Sequence, residues 1–190
     1  MSRARTVATA VRVLSQLRRD PRTLALLLVV PCVLMILVDQ LFAGREEVFQ
    51  SVGVPMLGLF PLISMFLVTS ITMLRERTTG TLERLLTTPL TKLELLLGYG
   101  IAFAAVAIVQ AVVVSIVGFG LLGLESVHSE LLIVVLAVAN AILGMAFGLF
   151  VSAFAQTEFQ AVQFMPAFVL PQILLCGLFV DQEDMARWLA

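Results

Sequence analysis

Apolar residues in this chain fall into five runs, 23–44, 52–74, 95–124, 131–155 and 161–180, each long enough to cross a bilayer. About 20 residues of helix span the hydrocarbon, where no backbone group can turn to water. Each run must satisfy its own amides and carbonyls, so helix is the expected state throughout. Composition agrees: 60% of the 190 residues are hydrophobic and only 13% are charged, against about 25% charged in soluble domains. The sequence therefore predicts an all-α integral membrane protein. The first run starts too far into the chain, and is too closely flanked by arginine, for a cleaved signal peptide; an internal signal anchor stays open.

Charge gives the orientation. With the N-terminus inside, the inside segments carry Arg3, Arg5, Arg12, Arg18, Arg19, Arg22, Arg75, Arg77, Arg84 and Lys92, and the outside segments only Arg45 and Arg187. That is a pronounced positive-inside bias. The net charge of −1 conceals it because acids such as Glu46, Glu47, Glu125, Glu130, Asp181, Glu183 and Asp184 sit outside. The expected location is a multi-pass cell membrane protein with a cytoplasmic N-terminus. The basic cluster hugs the first span and suits lipid headgroups, so nucleic acid is not an expected partner.

Residues 75–94 interrupt the apolar pattern. Burying Arg75, Arg77, Arg84 and Lys92 at mid-membrane would cost roughly 3 kcal/mol each, about 12 in all, so this stretch is an aqueous loop. Gly80 breaks the helix leaving the second span, and residues 81–87 can form about two turns with Leu82, Leu85 and Leu86 on one face. Pro89 stops that helix by forcing Thr88 out of the helical region. Thr91-Lys92-Leu93-Glu94 is a capping box that opens the next helix, and Thr157-Glu158-Phe159-Gln160 is a similar one before the fifth run. Ahead of the first run, Val7, Val11, Leu14 and Leu17 recur at helical spacing among arginines, the pattern of a helix lying in the headgroup layer. Asp20-Pro21 reads as an N-cap and first helical residue. The expected organisation is one transmembrane domain, 1–190: an amphipathic segment 1–22, a bundle 23–180 containing the loop 75–94, and an outer segment 181–190 with Met185, Trp188 and Leu189 on one face.

Chemistry within the chain finds little support. No glycine-rich turn followed by lysine could cradle phosphates, and Lys92 is the sole lysine. Cys32 and Cys176 lie inside spans as small hydrophobes, and His128 has no partner cluster, so no metal or cofactor is expected on this chain. Catalysis by this chain alone is not expected either. A short helix with exposed Leu82, Leu85 and Leu86 invites a partner's groove, with Glu76, Glu83 and Arg84 setting the register; insertion of the leucines among lipid headgroups stays open. Asn140, Gly144, Gly148 and Ser152 line one stripe of the fourth run, where small residues permit close helix packing or a subunit interface. Gln110, Asn140, Gln163 and Gln172 are amides in or near the spans. Gln110, Asn140 and Gln172 are candidates for a substrate path, and interhelical hydrogen bonding explains them equally well. Pro31, Pro55, Pro61, Pro166 and Pro171 are packing kinks or hinges.

The run Glu76-Arg77-Thr78-Thr79-Gly80-Thr81-Leu82-Glu83-Arg84-Leu85-Leu86-Thr87-Thr88-Pro89-Leu90, followed by Glu94-Leu95-Leu96-Leu97-Gly98, resembles the signature of type-2 ABC exporter permeases, which include the daunorubicin-resistance-like multidrug permeases. Val151-Ser152-Ala153-Phe154-Ala155-Gln156-Thr157-Glu158-Phe159-Gln160-Ala161 and Gly177-Leu178-Phe179 resemble the same family. The resemblance implies a coupling helix that contacts a separate ATP-binding subunit through Glu76, Gly80, Thr81, Leu82, Glu83, Arg84, Leu85, Leu86, Thr88 and Pro89. It also implies an interfacial elbow at the N-terminus, an outer re-entrant segment over 181–189, and a second permease copy, identical or related. ATP and Mg would be bound by the partner. The implied function is export of a small apolar or amphiphilic solute, drug-like or lipid-like. Family members have six spans where this chain offers five, so truncation at the C-terminus is expected. Two rivals remain: an ion-gradient carrier, for which no titratable relay is visible at mid-span, and a non-transporting membrane scaffold if the chain ends at 190.

Overall fold

A computed structural model describes residues 2–125 and 129–176, all of them helical or in turns between helices. Among the described residues, eight α-helices follow in order: α1 (Arg3–Arg19), α2 (Pro21–Leu41), α3 (Glu46–Thr78), α4 (Thr81–Leu86), α5 (Lys92–Ser115), α6 (Glu130–Ser152), α7 (Glu158–Gln163) and α8 (Met165–Leu175). A wide π-helical turn, Ile116–Leu121, extends α5. Among the described residues, four helices are long and apolar enough to cross a membrane: α2, α3, α5 with its π turn, and α6. The protein is thus a multi-pass membrane protein.

That count differs from the five spans expected. The fifth run is divided between α7 and α8, which meet at Phe164. Pro166 has no N–H to offer the preceding turn, and the Ala167 amide bonds Phe164 O at 3.1 Å, one residue short of the α-helical partner. The end of that run at 177–180, the outer segment 181–190 and His128 lie outside the described residues.

Local signals set the helix starts. Asp20 caps α2, accepting from the Thr23 amide at 3.2 Å and the Thr23 hydroxyl at 2.6 Å, with Pro21 in the first turn. The 33 residues of α3 make a rod about 50 Å long. A hydrocarbon core is about 30 Å thick, so the basic last turns of α3 project beyond it.

α3 is the central element, lying along α6 and touching α2, α5, α7 and α8. Small residues on α6 set how close the two helices come: a Cβ at Gly148 would lie 2.6 Å from Phe66 O. The largest core cluster joins α1, α2, α3, α5 and α6 through Val13, Leu27, Met65, Tyr99, Phe103 and Ala141. A second, around Met35, Leu57 and Val114, closes the end that holds the π turn. A third, around Phe66, Leu74 and Ala161, seats α7, with Phe168 of α8 packed against it. Outward-facing Leu26, Val29, Val33 and Leu37 of α2 are exposed, as residues in contact with lipid tails would be.

Helix α1 has two usable faces. Thr6, Thr9, Ala10, Val13 and Leu17 are buried, whereas Val7, Val11 and Leu14 are exposed. Leu17 thus leaves the expected lipid-facing stripe and joins the protein core. The burial is close because Gly98 of α5 has no side chain: a Cβ there would lie 2.6 Å from Thr9 Cβ and 3.1 Å from Thr6 O.

Candidate functional site

The loop between α3 and α5 is built turn by turn from its own side chains. Thr79 Oγ1 donates to Arg75 O at 2.7 Å, finishing α3. Gly80 then takes the left-handed conformation at φ +72°, which a side chain would resist, and redirects the chain into α4. At the far end of α4, Thr87 Oγ1 donates to Arg84 O at 2.7 Å and Thr88 Oγ1 to Leu85 O at 2.5 Å. The capping box is complete: Glu94 N donates to Thr91 Oγ1 at 3.2 Å and Thr91 N to Glu94 Oε2 at 3.0 Å. Losing such a cap costs about 1 kcal/mol. Thr91→Ala is expected to destabilise the protein by about that amount and to speed trypsin cleavage at Arg84 and Lys92, as followed by gel.

Side-chain directions change the picture of this loop. Leu82 and Leu85 are half-buried against the main core cluster, not free on the surface. The turn at Gly80 lays the leucine face of α4 back on the bundle; of the Leu86 side chain nothing is described. Exposed instead are Glu83, Arg84, Thr87, Thr88 and Pro89, with Thr81 half-buried. Glu76 is also turned inward, its side chain 11% exposed and 3.6 Å from Arg12. The outer face of α4 is therefore polar and of mixed charge.

Two arginines beside the loop fasten it to the far side of the bundle. Arg77 donates to Ala153 O at 2.7 Å and also to Ala155 O, occupying carbonyls left over at the end of α6. Arg75 makes a two-pronged pair with Glu158 at the start of α7, Nε–Oε1 2.6 Å and Nη2–Oε2 3.1 Å. The Arg75 guanidinium holds the Glu158 carboxyl below its ordinary range. Thr157 caps α7 through the Gln160 amide at 3.1 Å, while the Gln160 side chain reaches back to the Gln156 amide at 2.8 Å.

Sequence reasoning missed the partner of Glu76. Arg12 of α1 donates to the Tyr99 hydroxyl and lies with Cζ 5.5 Å from the Tyr99 ring centre. The available signal was the only tyrosine in the chain, placed two turns into α5.

The interior amides separate into two places. Asn140 and Gln172 line one cavity of about 210 Å³ with Pro55, Gly58, Ile133 and Cys176. Gln110 is elsewhere and fully buried, donating to Leu27 O at 2.8 Å and to Ser64 Oγ. Gln163 is exposed on α7. Gly144, Gly148 and Ser152 are buried on α6, the two glycines directly against α3. Cys32 and Cys176 are free thiols, and among the described residues no cluster of His, Cys, Asp or Glu could hold a metal.

The family model for the ABC-2 type transporter matches residues 5–190. The chain is 31% identical over 134 residues to the "Probable multidrug ABC transporter permease YbhR" of Escherichia coli strain K12, and equally so to that of Escherichia coli O157:H7. Each match covers 70% of this chain and 36% of the relative, so the chain spans about a third of the length of the curated relatives it matches. No solved structure matches.

Proposed function

This chain belongs to the ABC-2 type transporter family, and on that premise we propose that it is the membrane-spanning part of an ATP-driven exporter whose ATPase docks at α4. The observation that carries the reading is the loop itself. α4 is short, structured, polar on its outer face and fixed at both ends to long membrane helices. The chain has no phosphate-binding loop of its own, so ATP and Mg belong to the partner chain. The basic end faces the cytoplasm by the positive-inside bias, where such a partner is found. α7 and α8 belong to a fifth span, and a second copy or a relative supplies the other half of the transporter.

The cargo is a small apolar or amphiphilic solute, drug-like or lipid-like. The cavity of about 210 Å³ is mainly apolar, with Asn140 and Gln172 as its amides. Apolar walls with a few fixed polar groups suit an amphiphile. The relatives' description as multidrug permeases is in keeping with that class.

The test follows the exposed side chains rather than the leucines. Leu82→Asp would disturb the chain's own core along with any docking. Glu83→Lys combined with Arg84→Glu reverses the outer charges and leaves the packing untouched. Like charges brought together across an interface cost several kcal/mol, so at least about tenfold weaker binding of the ATPase subunit is expected. Co-purification should fall accordingly, with an unchanged unfolding temperature. Wild-type recovery of the ATPase would remove α4 as the docking element.

A further inference from the structure

Helix α1 grips the docking loop on both of its sides. Its first residues hold the far side: the Ser2 amide donates to Glu94 Oε1 at 2.6 Å, and Arg5 donates to Pro89 O. Its middle holds the near side, where Arg12 meets Glu76 at 3.6 Å, four residues before Gly80. Between these points its buried face packs on α5 around Gly98. A helix that only floated in the headgroup layer would need none of these ties.

The Arg12–Glu76 pair is also incompletely engaged. A guanidinium and a carboxylate can form two parallel hydrogen bonds. Here there is one long contact, and Arg12 Nε and Glu76 Oε2 are both buried without a hydrogen-bond partner. Unsatisfied buried charge is costly. Beside the pair lies a cavity of about 250 Å³ lined by Glu76, Tyr99, Thr72, Arg75, Thr79 and Thr81, among others. The side chains therefore have both a reason to re-pair and the room to do so. A small slide of α1 on α5 would bring Arg12 closer to Glu76, close the fork and satisfy both orphaned atoms.

We propose that Arg12 and Glu76 are positioning residues that latch α1 to the docking loop, open in the arrangement seen here and closed when a partner presses on α4. The latch makes α1, α4 and the adjoining ends of α3 and α5 move as one body. This rests on the reading that an ATPase docks at α4.

The test uses the full-length protein with its ATPase subunit in lipid vesicles, measuring solute transported per ATP hydrolysed. Arg12→Gln and Glu76→Gln are each expected to lower that ratio about tenfold, within the usual range of coupling between sites. The ATPase should still co-purify. Exchanging the charges, Arg12→Glu with Glu76→Arg, should restore most of the ratio, and an unchanged unfolding temperature in the single variants separates the loss of coupling from a merely structural defect. Arg12→Lys keeps the charge but not the fork, and should fall between wild type and Arg12→Gln even if a neutral variant fails to fold. Wild-type coupling in the neutral variants or in Arg12→Lys would overturn the latch, as would an exchange no better than the single changes. Failure of the unaltered protein to retain any ATPase would overturn the docking reading itself, and is a separate observation.

Discussion

Gly144→Ala is expected to be the most damaging glycine-to-alanine change among the described residues. A Cβ at 144 would lie 2.2 Å from Leu62 O, 2.8 Å from Leu62 C and 2.9 Å from Leu62 Cα. All three are backbone atoms of α3, so no side chain can rotate aside. The two helices must separate along their longest shared contact, and forced overpacking of this kind costs about 1–3 kcal/mol or more. Thermal aggregation of the detergent-solubilised protein should report a clearly lowered transition. Gly100→Ala is the matched control: nothing lies within 4 Å of a Cβ there, and alanine favours helix over glycine by about 1 kcal/mol. That variant should be neutral or slightly more stable. Equal behaviour of the two variants would mean that α3 and α6 do not meet in this register.

Gln110→Leu is expected to destabilise the bundle by about 1–2 kcal/mol, and to do so only while Pro31 is present. In α2 the Leu27 carbonyl would normally receive the amide of residue 31, but proline has none. Gln110 Nε2 takes that place at 2.8 Å from Leu27 O. Its other amide hydrogen goes to Ser64 Oγ, which itself donates to Phe60 O at 2.9 Å beside Pro61. One side chain of α5 thus repairs α2 and ties it to α3. Leucine at 110 would leave the Leu27 carbonyl unmet in an apolar interior. Pro31→Ala restores an amide at position 31 and makes the repair redundant. The stability changes of the single and double variants should therefore be strongly non-additive, whereas uncoupled sites add within about 0.3–0.5 kcal/mol. Additive values would refute the pairing.

Local chemistry made several parts of this structure legible in advance. Asp20-Pro21, Gly80 and the Thr91–Glu94 box each act within a few residues, so side-chain type and spacing suffice to place a helix end. The helical state of the long apolar runs follows from the solvent alone. Long-range geometry was out of reach. Leucines at 82 and 85 look equally apolar whether they face a partner or their own bundle, and only the turn at Gly80 decides. Glu76 and Arg12 are 64 positions apart in sequence, with no pattern linking them. The amides looked alike in sequence, yet Gln110 mends a broken helix while Asn140 and Gln172 share a cavity. Pro166 was visible as a kink, but that the fifth run would divide at Phe164 was not.

Because α3 continues without a break from Glu46 to Thr78, the cavity by Pro55 and Gly58 and the polar knuckle after Thr78 hang on a single stiff shaft. Tilting the shaft at one leaflet must swing its opposite tip, with no chain of side-chain rearrangements needed to carry the signal. Both internal prolines, Pro55 and Pro61, lie in the half of the shaft beside the cavity, so the arm that reaches the basic end is free of them.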